Sequence, residues 1–159
     1  MNLRIVRNAL WLGALALLAA CSSGPVRRVS PPAASIQQLT VNADGSWKVD
    51  LRLQNYSSIP MRFDSAKLAL TVADQPAGEL QASPAISIGP ESADVVSVAF
   101  APAVAAKLAV AEALATRRTV AYTLKGTMSA VPEDAKLRSF DVDSRNTLSP
   151  MPGLQGVLR

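Results

Sequence analysis

The sequence predicts an all-β protein: an antiparallel fibronectin- or immunoglobulin-like β-sandwich of about seven strands, with one short helix inserted near residues 102–116. Three observations predict it. Trp47, Val49, Leu51 and Leu53 alternate with Lys48, Asp50, Arg52 and Gln54, so one face of this run meets a core and the other meets water. Similar short runs recur along the chain, separated by turn-forming clusters such as Asn42-Ala43-Asp44-Gly45-Ser46 and Asp74-Gln75-Pro76-Ala77-Gly78. The exception is alanine-rich Pro102 to Thr116, made of good helix formers with Pro at a position a first helical turn tolerates.

In chain order, a strand opens at Ile36 and runs to Val41, and the Asp44-Gly45 pair, suited to positive φ, turns it into the Trp47–Gln54 strand. Asn55-Tyr56-Ser57-Ser58-Ile59-Pro60 breaks that strand. Ala66, Leu68, Leu70 and Val72 alternate with Lys67, Ala69 and Thr71 to make the next one. A short partner follows at Glu79–Ala82; Ile86 and Ile88 then lead into the corner Gly89-Pro90. Asp94 to Phe100 is a strand with Val96, Val98 and Phe100 on one face. In the helix, Val104, Leu108, Ala111 and Ala115 share a face expected to pack on the sheet, and Arg117-Arg118 lie favourably near its C-terminus. Alternation resumes at Val120, Tyr122 and Leu124 as far as Gly126, and a last strand runs around Leu137 to Val142 before the Pro- and Gly-rich end.

The N-terminus carries an address. Arg4 and Arg7 precede an apolar run from Ala9 to Ala20, too short for a membrane span and closed by small residues, which reads as a secretory signal. Its ending, Leu18-Ala19-Ala20-Cys21, resembles the lipobox of bacterial lipoproteins, in which the cysteine is lipidated and becomes the first mature residue. Several acyl chains at about 0.8 kcal/mol per buried methylene hold a protein on a bilayer far better than one chain does. Ser22 after the cysteine is the pattern such lipoproteins show when sorted to the outer membrane, here at its periplasmic face. The domain plan is therefore a signal peptide (1–20), the lipidated Cys21 with a Ser/Pro-rich tether (21–35), the sandwich (36–152) and a C-terminal tail (153–159). Arg27 and Arg28 in the tether either touch anionic head groups or are solvated.

Composition excludes several classes. Histidine is absent, which removes Ser-His-Asp and Cys-His catalysis and the usual His-ligated metal sites. The single cysteine, Cys21, is assigned to lipid, so thiolate chemistry goes too. Loss of Arg4 and Arg7 with the signal leaves 14 basic against 12 acidic residues, with no sustained basic run, so nucleic acid is not an expected partner. Expected partners are the membrane, through the lipid anchor, and an envelope protein; no catalytic residue, metal or cofactor is expected beyond the covalent lipid.

The stretch Val49 to Gly78 resembles the late-embryogenesis-abundant type 2 domain, the LEA14-like water-stress and hypersensitive-response family. Leu51 to Met61 lies where that domain has an alternating strand, an Asn-Pro-Asn-like turn and a Pro, with Tyr56-Ser57 in place of the Pro-Asn. Ala66–Val72, Pro76–Glu79, Tyr122–Gly126 and Leu148-Ser149-Pro150 continue the likeness over roughly residues 36–152. The resemblance implies a fibronectin-like sandwich and a link to desiccation or other stress, and it supplies no catalytic residues.

Three further features admit functional readings. Asn55 and Tyr56 could form an exposed recognition loop, or Asn55 could satisfy local backbone. Glu133-Asp134 and Asp141/Asp143 could be calcium or acid–base carboxylates, or a solvated face. Trp47 could stack on sugar, or belong to the core as its phase with Val49 suggests. A docked accessory subunit of an envelope machine and a carrier of a ligand between the sheets are the rival functions.

Overall fold

Among the described residues nine strands form, the expected ones in the order the alternation predicts and a short last one, Val157–Leu158, that it does not. The computed structural model describes residues 27–159. Its elements are β1 (Ala33–Val41), β2 (Trp47–Gln54), β3 (Met61–Val72), β4 (Gln75–Ala82), β5 (Ile86–Ile88), β6 (Ala93–Phe100), α1 (Val104–Thr116), β7 (Val120–Pro132), β8 (Arg138–Leu148) and β9 (Val157–Leu158). One sheet has the order β6-β2-β1-β9, the other β4-β3-β7-β8 with β5 also on β3, and every pairing is antiparallel. The fold is the expected all-β sandwich.

The period-two pattern places the core. Val49, Leu51, Leu53 from one sheet and Leu68, Leu70, Leu124, Met128 from the other are almost wholly buried between the layers. Trp47 is buried too, edge-on to Phe100 with ring centroids 5.8 Å apart, so its place is the core and not a sugar platform. The β3–β4 hairpin turns at Ala73-Asp74, both at positive φ, so β4 starts earlier than the expected short partner. β7 and β8 run on past Gly126 and Val142; Gly126 lies inside β7, where a Cβ would come within 2.0 Å of the Lys67 carbonyl oxygen on β3.

Three expectations are corrected. β1 starts at Ala33, and Ala34 is buried, so the last residues of the expected tether belong to the first strand. The expected C-terminal tail carries β9: Leu158 is buried, Leu39 and Thr40 pair with Leu158 and Val157, and the Val41 N–H donates to the Gly156 carbonyl at 2.8 Å. Two residues are too few to show a period, which is why the sequence reads as tail. The helix turns its other face inward. Ala106, Val110 and Ala113 are buried, while Val104 and Leu108 are 72% and 66% exposed. Small residues let the helix lie close on β4 and β3, where the Ala103 N–H donates to the Ala77 carbonyl at 2.8 Å. A helix apolar on all sides gives no periodic clue to which side is covered.

The sheets are also joined by polar bonds. Tyr122 of β7 is buried and its hydroxyl accepts the Ile36 N–H of β1 at 2.9 Å; the Ser144 hydroxyl of β8 donates to the Ala34 carbonyl at 3.0 Å. Burial raises the Tyr122 pKa above its ordinary value.

Gly126→Ala, with a Cβ forced against backbone, is expected to lower stability by roughly 2–4 kcal/mol in urea denaturation. The Tyr122 phenol ionises more readily unfolded than folded, so the stability it contributes is complete below about pH 10 and falls as pH rises beyond that. Tyr122→Phe is expected to cost about 1–2 kcal/mol at neutral pH, by orphaning the Ile36 N–H, and to flatten the alkaline decline in a pH series of urea melts.

Candidate functional site

The densest polar construction lies where the chain crosses from one sheet to the other, in the loop of residues 55–60 between β2 and β3. The strand pattern ends at Gln54, and Asn55 turns its side chain inward. Asn55 is fully buried. Its amide nitrogen donates to the carbonyls of Ile59 (2.9 Å), Ile88 (3.1 Å) and Gly89 (2.9 Å), and its side-chain oxygen accepts the Ser57 N–H at 2.8 Å. One amide thereby closes its own turn and fixes the β5–β6 corner against it. Asn55 satisfies backbone and offers nothing to a partner, whereas Tyr56 beside it is 51% exposed.

The segment before β1 docks on this loop. Arg28 N–H donates to the Ser58 hydroxyl at 2.8 Å and its carbonyl accepts the Ser58 N–H at 3.0 Å. Buried Ser57 accepts the Ser30 N–H at 3.0 Å and donates to the Ser30 carbonyl at 3.3 Å. The Arg28 guanidinium reaches the Tyr56 carbonyl (3.2 Å) and Glu91 (3.3 Å), and Arg27 pairs with Glu133 (3.0 Å) and Asp134 (3.1 Å). Neither arginine is merely solvated. Because these ion pairs are at least half exposed, each contributes little beyond fixing the segment's path. Residues 27–30 are therefore a fastened strap, a role that a run of Ser, Pro and Arg without periodicity gave no sign of.

The carboxylates have ordinary structural roles. Glu133 and Asp134 face Arg27; Asp141 and Asp143 are exposed on β8, and Asp143 lies 3.4 Å from Lys125. Among the described residues no three acidic, His or Cys side chains gather to hold a metal. Asp44 holds its carboxyl below the ordinary range by accepting the Ser46 hydroxyl and N–H within the β1–β2 turn. Leu51, Leu53, Leu68 and Leu70 pack between the sheets, in the space that the ligand-carrier reading would need.

At the far end of the sandwich from the strap, the helix leaves a stripe uncovered. Val104, Leu108, Ala111 and Ala115 all face water, and Ala115 continues into an open cleft of about 710 Å³ shared with Arg117, Pro150, Met151 and Leu154. Cys21 and the lipobox residues Leu18, Ala19 and Ala20 lie outside the described residues.

A sequence model described as late embryogenesis abundant protein matches residues 50–145. No curated protein matches the chain. Among solved structures, a solution structure of a protein described as late embryogenesis abundant is 15% identical, with TM-score 0.49, covering 96% of this chain and 87% of its own. A solution structure from Arabidopsis thaliana is 11% identical (TM-score 0.48; 80% and 83% covered). A Bordetella pertussis crystal structure under the name ApaA is 15% identical (TM-score 0.48; 82% and 100% covered).

Replacing Asn55 with Ala leaves three carbonyls and an N–H without their buried partner. A loss of about 2–4 kcal/mol in urea denaturation is the expected outcome. Hydrogen exchange is expected to quicken at Ser57 and Ser58 together with Ser30, because strap and loop hold each other.

Proposed function

Because the chain belongs to the late embryogenesis abundant protein family, we propose that it is a non-enzymatic envelope lipoprotein that protects envelope components during desiccation or envelope stress. In this reading Cys21 carries the lipid, residues 1–20 are removed on export, and the domain sits at the periplasmic face of the outer membrane. The observation that carries it is the pairing of a lipobox with a strap: the chain just beyond Leu18-Ala19-Ala20-Cys21 is fastened to the sandwich at Arg28 and Ser30. An anchor at Cys21 would thus hold the loop 55–60 end of the domain near the bilayer. Among the described residues no helix is long and apolar enough to cross a membrane. Protection would act by contact through the polar outer faces, such as the row Lys48, Asp50, Arg52 and Gln54 of β2.

The uncovered helix stripe favours a second reading, an accessory subunit that docks a secretion or transport machine. The stripe lies opposite the strap, so an anchored domain would present it away from the membrane.

Radiolabelled palmitate is expected to enter the full-length chain and to be lost in Cys21→Ser; an unlabelled parent protein would overturn the anchor. A deletion strain is expected to survive drying and rehydration at least tenfold less well than its parent, with a leakier outer membrane. Equal survival and equal tightness would sink the protective role. A photocrosslinker at Leu108 that captures one dominant envelope protein would select the docking reading instead.

A further inference from the structure

Among the described residues the sandwich has four sheet edges, and three are managed. Free edges expose unpaired N–H and C=O groups, and proteins blunt them with charges, prolines, bulges or covering segments. β1 is covered at its end by β9 and the Gly156 carbonyl, and nearer its start Tyr122 takes the Ile36 N–H and Ser144 the Ala34 carbonyl. β4 carries Pro76 and lies under the helix through the Ala103–Ala77 bond. β8 bears Arg138, Asp141, Asp143 and Arg145. β6, Ala93–Phe100, has no proline, no basic residue and no bulge, and its one charge, Asp94, stands near its start.

The ladder fixes which groups of β6 are free. The Asn55 N–H donates to the Ser92 carbonyl, and this parity continues through the pairs Leu53–Asp94, Leu51–Val96, Val49–Val98 and Trp47–Phe100. Val95, Ser97 and Ala99 therefore aim N–H and C=O away from β2. Consistent with that, the Val95 N–H is met by the Asp94 side chain at 2.7 Å, a stopgap no central strand needs.

We infer that β6 is a self-association edge, pairing antiparallel with β6 of a second copy about a two-fold axis at Ser97. That register sets Ser97 against Ser97 and Val95 against Ala99, each pair exchanging two backbone hydrogen bonds. It matches a larger side chain with a smaller one, keeps Asp94 out of the centre, and extends cover over the half-exposed Val96 and Phe100. The self-complementary patch is what a two-fold contact requires. An eight-residue strand at about 3.4 Å per residue, in one sheet layer about 10 Å deep, gives roughly 270 Å² per copy. The total, about 540 Å², lies below the roughly 1,000 Å² expected of a stable specific interface, so the pair is weak and transient in solution. A shared membrane would strengthen it by raising the effective concentration, but the pairing itself does not rest on the lipid anchor.

The test is disulfide trapping of the full-length chain in its native membrane. Facing residues of a hydrogen-bonded antiparallel pair have Cα atoms about 5.5 Å apart, within disulfide reach. On mild oxidation Ser97→Cys is expected to run at twice the monomer mass, at least tenfold more than Ala99→Cys alone or the edge control Thr147→Cys. Co-expressed Val95→Cys and Ala99→Cys are expected to trap each other, and Ala99→Lys placed beside Ser97→Cys is expected to abolish the dimer. Trapping of Ser97→Cys no stronger than Thr147→Cys would overturn the inference. If the parent itself crosslinks through Cys21, the lipid reading fails, and the same comparison made in Cys21→Ser decides the strand pairing separately.

Discussion

Everything at the strap end of this molecule depends on one buried amide. A sandwich must carry its chain from one sheet to the other, and each crossing leaves backbone groups that no ladder satisfies. Here the crossing from β2 to β3 and the corner from β5 to β6 lie side by side, and Asn55 serves both. An aliphatic residue would fill the same volume but would leave the carbonyls of Ile59, Ile88 and Gly89 buried and unmet. An aspartate would bring acceptors where donors are needed. The amide, with two N–H bonds shared among three carbonyls and an oxygen for the Ser57 N–H, is the side chain that closes the account.

The strap follows from that construction. Once Asn55 holds the turn, Ser57 is fixed and buried, and Ser57 and Ser58 present hydroxyl and backbone groups to the incoming chain at fixed spacing. Residues 27–30 pair with them much as an edge strand would, without strand geometry. The ion pairs of Arg27 and Arg28 are outside this bonded path and exposed, so hydrogen bonds to the ordered loop, and not charge, set where the segment lies.

How much of this was legible depended on whether a residue's task repeats. β2 and β3 declare themselves because a half-buried strand writes its face into every second residue. The β1–β2 turn is equally plain, since Asp44-Gly45 carries its own mechanism and Gly45 does take positive φ. What could not be read are tasks performed once. Asn55 looks like any loop polar residue until the fold buries it. Val157-Leu158 is too short for a period, and the helix face is undecidable when Val104, Leu108, Val110 and Leu114 surround the axis. Arg27 and Arg28 look solvated because their partners, Glu91, Glu133 and Asp134, are more than sixty residues away in sequence.

The two ends of the sandwich are therefore chemically unlike, and the strands keep them apart. β3, twelve residues long, spans about 40 Å at 3.4 Å per residue. One end is polar, closed by Asn55 and occupied by the strap; the other carries an apolar helix whose small-residue face is spent on β4 and whose larger side chains, Val104 and Leu108, are left over. The buried face carries Ala106, Val110 and Ala113, and the exposed one carries Val104 and Leu108 with Ala111 and Ala115. This arrangement leaves two large apolar side chains uncovered, each worth about 1.5–3 kcal/mol if fully buried, while Ala106 and Ala113 let the helix lie close on the sheet. The difference between the ends follows from the packing itself: at the strap end the buried polar groups of Asn55 and Ser57 are spent on backbone, and the helix end has apolar surface to spare.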